Sequence, residues 1–251
     1  MLIRKGKKFD LHMHTTASDG GYRPADLVKK AAELGLEVIA ITDHDTLEGI
    51  AEAQAAGRDL GLEVIAGVEL SAKFEGKTVD ILGYELQKMD ELHALLSRMR
   101  KARENRAQII LEKFADIGMP LRMEDVLEFS KGGVIGRPHI ARAIVKKGYV
   151  KDVQTVFDEY LADGKPCAVE KTVISPEEGI TLIHNAGGKA VLAHPVLLGD
   201  DQLVERLLQF DFDGIEVWHR SHTPEDVQRY KAMARKYNLL MTGGSDFHSD
   251  E

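Results

Sequence analysis

Four times along this sequence a helical stretch ends on a glycine or asparagine, runs into a short apolar segment and stops at a cluster of polar side chains. The unit reads Asp26 to Leu34, Gly35, EVIAITDHD; Leu47 to Leu60, Gly61, LEVIAGVELS; Pro176 to Ala186, Gly187, KAVLAHP; and Pro224 to Tyr237, Asn238, LLMTGGSDFH. Alternating helical and buried-strand patterns are the signature of βαβ units around a parallel sheet, because strands covered on both faces are apolar throughout. Helix starts are marked as well. Ser175-Pro176-Glu177-Glu178 offers an N-cap, a proline at the first helical position and a capping-box glutamate, and Thr223-Pro224-Glu225-Asp226 repeats the device. Adding KKFDLHMH, TVDILGY and FDGIEVWH brings the strand candidates to seven, which predicts an α/β barrel of the TIM type one strand short of the usual eight.

Between Lys88 and Thr172 the rhythm changes. Asp90 to Phe114 is helical and rich in Arg, Lys and Glu, followed by GMPLRMEDVLEFS, GRPHIARAIVKKG and DVQTVFDEYLADG, with no strand signal until PCAVE. This predicts a helical cap over 89–171 inserted between strands four and five, with 1–88 and 172–251 forming the barrel. A length of 251 residues suits one such barrel with an insertion, and 43% hydrophobic against 29% charged residues excludes a disordered chain. The single cysteine, Cys167, excludes a disulfide within the chain and fits a reducing cytosol. The opening MLIRKGKKFDLHMH turns polar before a signal-peptide core could form, and no apolar run approaches the roughly 20 residues needed to span a bilayer. A soluble cytoplasmic protein with no membrane partner is the expectation. The net charge of −8 disfavours binding to long duplex nucleic acid.

Side chains able to bind metal gather at the ends of the apolar runs: His12 and His14, Asp43 and His44, Glu69, His194, and Asp246 with His248. In a parallel barrel these ends form one face, so residues remote in sequence converge there. His-x-His on a strand sends both imidazoles to the same side, and Asp246-x-His248 repeats the spacing with one oxygen donor. Buried together, such groups would each cost several kcal/mol without a compensating cation. A shared cation cluster is therefore expected. His93 and His184 lie in helical patterns and read as structural or solvated; His219 and His222 fall in a loop after FDGIEVW and stay unassigned; Trp218 reads as packing. The Gly-Gly pairs at 20–21, 132–133, 187–188 and 243–244 read as turns, and none has P-loop or dinucleotide spacing.

The runs DLHMHTTASDG, AITDHDT, GVELS, AHP and GSDFH, in that order, resemble the signature motifs of the PHP (polymerase and histidinol phosphatase) family of metal-dependent phosphoesterases. GRPHIARA in the cap resembles the subgroup that carries a helical insertion and acts on nucleotides or short oligonucleotides. The resemblance implies a distorted seven-stranded barrel holding two or three divalent ions, Mn²⁺, Fe²⁺ or Zn²⁺. By the same resemblance His12, His14, Glu69 and Asp246 look like the ligands of one ion, and Glu69 like a carboxylate bridging to a second that also takes His194 and Asp80. A third would use Asp19, His44 and His248, with Asp43 orienting a histidine from behind. Asp80 stands where many relatives have histidine, which makes the second site richer in oxygen and favours Mn²⁺ or Fe²⁺ over Zn²⁺. The sequence ends three residues past His248, sooner than the proteins it resembles, implying a missing terminal segment.

Clustered divalent ions lower the pKa of a bound water to give hydroxide near neutral pH and neutralise phosphoryl oxygens, the two needs of phosphate-ester hydrolysis. Arg137 and His139, in the GRPH turn opening a cap helix, are candidates to meet the substrate phosphate, Arg137 as a fork and His139 as general acid. The expected substrate is a small phosphorylated molecule such as a nucleoside 3′,5′-bisphosphate, AMP or the end of a short oligonucleotide. The alternatives are a small-molecule phosphatase acting on substrates like histidinol phosphate, a metal- or nucleotide-binding module without turnover, and an amidohydrolase, since related barrels also hold two metals at strand ends. The oligomeric state is left open by the sequence.

Overall fold

The computed structural model describes residues 6–130, 135–162, 164–169 and 174–250. Two compact units divide the chain: Met1–Leu95 with Val173–Glu251, and Leu96–Thr172. In the first, the apolar runs become strands β1 (Phe9–Met13), β2 (Val38–Ile41), β3 (Glu63–Phe74), β4 (Lys77–Tyr84), β5 (Lys189–Leu192), β6 (Gly214–His219) and β7 (Leu240–Gly244). They form one seven-stranded sheet in chain order, and the sheet nearly closes into a barrel. Between β1 and β7 the seam is fastened just past β7, where the His14 N–H donates to Phe247 O at 2.9 Å.

Helices α1 (Pro24–Glu33) and α2 (Ile50–Leu60) lie in the first half of this unit. Their apolar stripes pack Leu27, Val28, Ala31 and Ala53 against Met13, Ile39 and Ile41 on the outside of the sheet. Inside, Leu11, Val38, Ala40, Leu82, Tyr84, Val191 and Ala193 fill the barrel, and the Tyr84 hydroxyl donates to Leu11 O at 2.8 Å. The four helix stops read from the sequence all adopt left-handed backbone, with φ of 74° at Gly35, 70° at Gly61, 76° at Gly187 and 55° at Asn238.

The sheet is not parallel throughout. β4 runs antiparallel to both β3 and β5, while the other neighbours are parallel. The reason is the two-residue link Glu75-Gly76, whose φ values of 47° and 83° give the doubly left-handed turn that matches strand twist in a hairpin. A hairpin reverses the chain, so β4 enters at the end where the parallel strands finish.

The second unit lies in sequence between β4 and β5. Helix α3 (Met89–Asp116) starts in the barrel unit and continues into this one, followed by α4 (Met123–Ser130), α5 (Arg137–Lys146) and α6 (Val153–Val156), which runs on as a π turn over Phe157–Leu161. Its own core collects Ile110, Phe114, Val126, Ile140, Ile144, Val156, Leu161 and the free thiol of Cys167. The strand expected at PCAVE does not form over 166–169, and Glu170 lies outside the described residues, as do Gly132 and Gly133. No strand edge exists among the described residues of this unit to pair with it. Its carbonyls are taken up by long cationic side chains instead: Arg106 Nε donates to Val169 O at 2.8 Å and Lys113 Nζ to Ala168 O at 3.0 Å.

After it the barrel unit resumes with α7 (Pro176–Asn185), a 3₁₀ turn at Pro195–Leu198, α8 (Asp201–Leu207) and α9 (Pro224–Lys236). The two expected capping boxes are built: Ser175 Oγ accepts from Glu178 N at 3.2 Å and Glu178 Oε2 from Ser175 N at 2.7 Å, and Thr223 and Asp226 exchange the equivalent pair. Among the described residues no helix is long and apolar enough to cross a membrane.

Candidate metal centre

Two irregularities in strand pairing aim the polar side chains at one place. β1 advances three residues from Asp10 to Met13 while β2 advances two, from Ile39 to Ile41. The extra residue breaks the in-out alternation, so Leu11 joins the barrel core, Met13 packs outward, and His12 and His14 are both fully buried at the end of the strand. β6 has the same irregularity between Glu216 and Trp218 opposite Thr242 and Gly243. β7 then passes so close to β1 that a Cβ on Gly244 would sit 2.3 Å from His12 Cβ, which leaves glycine as the residue that fits.

Glu69, in the middle of β3, lies at the centre. Its Oε2 is 3.2 Å from His12 Nε2, 3.2 Å from His14 Nε2 and 3.3 Å from His44 Nδ1, and its Oε1 is 3.0 Å from His194 Nε2. Asp246 Oδ1 completes the first group, 3.5 Å from His12 Nε2 and 3.2 Å from His14 Nε2. Asp80 is 4.0 Å from His194 Nε2. It reaches this end of the barrel because β4 is reversed and sets it opposite Ser71. On the far side of His14, Asp19 lies 3.3 Å from His248 Nε2 and 3.8 Å from His44 Nε2. His14 stacks between the rings of His44 and His248, at centroid distances of 4.6 and 4.1 Å. All nine residues that the resemblance assigns to metal thus fall in three overlapping groups: His12, His14, Glu69 and Asp246; Glu69, Asp80 and His194; and Asp19, His44 and His248 with His14 beside them.

Arg137 and His139 stand in the first turn of α5, in the other unit. Arg137 Nη1 donates to Leu161 O at 3.0 Å, and His139 Nδ1 accepts from Gly136 N–H at 3.1 Å. Asp43 does not orient a histidine. Its oxygens accept from Thr15 N–H and Thr15 Oγ1, both at 2.7 Å, and from Ser18 Oγ at 2.6 Å, which pins the loop between His14 and Asp19. His184 pairs with Asp213 at 2.8 Å, away from the cluster, and His93 is exposed on α3.

Sequence reasoning missed Glu216 and left His219 in a loop, whereas both belong to β6. Glu216 is fully buried; Oε1 is 3.1 Å from His12 Nδ1 and Oε2 accepts from His194 N–H at 2.8 Å. His219 Nε2 is 3.5 Å from Asp246 Oδ2. The available signal was a carboxylate inside an apolar run, GIEVW, where a buried acid needs partners. Arg220, more than half exposed, brings Nη2 to 3.3 Å from Asp246 Oδ2.

The electrostatics are those of acids and imidazoles forced together. Burial opposes charge on Glu69, but His12 and His44 outweigh it and hold the carboxyl well below its ordinary range. Burial would lower His12, yet Glu216 and Glu69 raise it well above the usual histidine value. His14 is pushed up to about 9 by Asp246 and Glu69 against the same burial. Asp19 is lowered to about 2 by His248 and His44, although burial acts the other way. Asp80 differs: burial and then the Glu69 charge raise it.

These residues fit a divalent ion. His14 Nδ1 and Nε2 and His44 Nδ1 are buried without a hydrogen-bond partner among the described residues, an expensive arrangement for protein alone. The four imidazole-to-carboxylate separations in the first group, 3.2–3.5 Å, are close to the spacing of about 3.4 Å expected of neighbouring donors that share one ion at about 2.1 Å.

Comparison with known proteins agrees with the motifs and the barrel. The PHP domain model matches residues 10–166. The chain is 37% identical over 248 residues to a 5′-3′ exoribonuclease of Haemophilus influenzae, covering 96% of this chain and 90% of that protein. It is 35% identical over 254 residues to a 3′,5′-nucleoside bisphosphate phosphatase of Chromobacterium violaceum, covering 96% and 87%. Among solved structures, a Bifidobacterium adolescentis protein provisionally described as a metal-dependent phosphoesterase superposes with a TM-score of 0.77 at 32% identity, over 98% of this chain and 89% of that one. With motifs, barrel and near-full-length relatives in agreement, this chain belongs to the PHP domain family.

Proposed function

We propose that this chain is a metal-dependent hydrolase of phosphate esters on nucleotides or on the ends of short oligonucleotides. The observation that carries the reading is Glu69, buried with both oxygens turned toward four imidazoles and joined by Asp246, an arrangement suited to cations shared through one carboxylate. His12, His14, Glu69 and Asp246 would hold one ion, Glu69, His194 and Asp80 a second, and Asp19, His44 and His248 a third. The two carboxylates of the second set, Glu69 and Asp80, suit Mn²⁺ or Fe²⁺ better than Zn²⁺. Bound divalent ions supply an activated water at neutral pH and positive charge for the phosphoryl oxygens.

The chain's own side chains do the rest. Asp43 holds the Thr15–Ser18 turn, which fixes Asp19 at the rim, and Arg220 adds a guanidinium beside Asp246 for an incoming anion. Arg137 and His139 are assigned to the substrate phosphate, supported by their place in the first turn of α5 and by the GRPH resemblance. The relatives' names support the substrate class: one describes an RNA-end hydrolase and the other a phosphatase of nucleoside bisphosphates.

The test is phosphate or nucleotide release by the full chain, with Mn²⁺ or with chelator, from a nucleoside 3′,5′-bisphosphate, a short 5′-phosphorylated RNA and histidinol phosphate. Turnover of either nucleotide substrate that vanishes with chelator is expected. Folded protein that turns over neither with any divalent ion would leave a binding module, and preference for histidinol phosphate would move the substrate class. Arg137→Ala is expected to lower kcat/KM by roughly 10- to 100-fold, the loss of a charge-assisted contact of about 1.5–3 kcal/mol.

A further inference from the structure

We infer that Glu216 is a positioning residue: it fixes the His12 tautomer that offers Nε2 to an ion and secures the His194 backbone, coupling the two ligand groups that share Glu69. The inference rests on the metal reading above and adds to it a residue that donates to no ion itself.

Glu216 stands on β6 immediately before the pairing irregularity, fully buried, with no solvent to satisfy its charge. Both oxygens are directed at the cluster from behind, Oε1 to His12 Nδ1 at 3.1 Å and Oε2 to His194 N–H at 2.8 Å. A neutral imidazole has one lone pair. A carboxylate at Nδ1 can only accept, so it keeps the proton on Nδ1 and leaves the lone pair on Nε2, the atom that faces Glu69 and Asp246. The second oxygen meets a different need. His194 has φ of 23° and ψ of 59°, outside the regions an L-residue prefers, and such a conformation persists only when its surroundings impose it. The hydrogen bond to its N–H helps hold the conformation that turns Nε2 toward Glu69.

His12, Glu216 and His219 also lie close enough together to resemble a cation site of their own. Proton placement argues against it. His219 Nδ1 accepts from Ser221 N–H at 3.1 Å, so neutral His219 carries its proton on Nε2, and His12 carries its proton on the nitrogen facing Glu216. The group presents N–H bonds where an ion needs lone pairs.

Glu216→Gln is the discriminating variant because it preserves volume. An amide that still accepts from His194 N–H turns its NH₂ toward His12 Nδ1, which forces the imidazole proton onto Nε2 and removes that lone pair from the ion. Metal-stripped full-length protein and E216Q are titrated with Mn²⁺ by calorimetry, and ¹⁵N histidine spectra of the Zn²⁺-loaded proteins report the tautomers. The expected result is a 10- to 100-fold weaker Mn²⁺ affinity in a variant with unchanged circular dichroism, and a wild-type His12 protonated on Nδ1. Equal affinity in wild type and E216Q overturns the role of Glu216 while leaving the metal reading intact. Wild-type protein that binds no Mn²⁺ overturns both. Should E216Q not fold, the wild-type spectrum decides alone, since a His12 proton on Nε2 contradicts the proposal.

Discussion

Glu69 and His14 illustrate how charge is arranged at the scale of one side chain. His14 has no exposure and lies 3.2 Å from both Glu69 and Asp246, whose charges overcome burial and raise it from 6.5 to about 9. A group that holds its proton more tightly folded than unfolded stabilises the ion-free protein fully below about pH 6.5, and that contribution is lost as pH rises through about 9. Divalent-ion binding has the opposite slope, because ligating imidazoles must first lose those protons. Thermal melts across this range should fall with pH for chelator-treated protein and widen their gap from the metal-loaded protein; parallel curves would contradict the assignment of His14 as a ligand. Seven of the nine metal-type residues were legible in the sequence because they stand at the ends of apolar runs, whereas Asp19 and Asp80 came only from the family resemblance. Asp43 was misread for a physical reason: its partners Thr15 and Ser18 become neighbours only when β1 and β2 pair.

Among the elements, helix signals transferred well because they are local. Capping boxes, N-terminal prolines and left-handed stops depend on a few adjacent residues. Removing one cap oxygen by Ser175→Ala should cost about 1 kcal/mol in urea unfolding, with the metal titration unchanged, since α7 carries no member of the cluster. Strand direction was harder to see. The spacing Phe74-Glu75-Gly76-Lys77 carries a hairpin signal, two residues with glycine second between strand runs, but the surrounding βαβ rhythm suggests parallel pairing. The two pairing irregularities had no sequence mark, because an extra residue is defined only against the register of a neighbouring strand.

For the molecule as a whole, ion binding acts on one of the two compact units, since every member of the cluster belongs to the barrel. A ligand that binds only the folded form stabilises it by about 2.7 kcal/mol at a hundredfold excess over its Kd. Adding Mn²⁺ to stripped protein should therefore raise the barrel's Tm by several degrees, and chelator should reverse it; an unchanged melt would count against the cluster. Strand order and the inserted position of the helical segment were readable because both follow the chain, whereas the nearly closed sheet depends on contacts between its first and last strands. The seam between those strands has a further implication. His12 and His14 are translated long before Asp246 and His248, yet they meet beside the His14–Phe247 bond. A nascent chain therefore lacks half of this clasp until β7 and the residues after it have been made, and a copy that stops before them cannot complete the cluster.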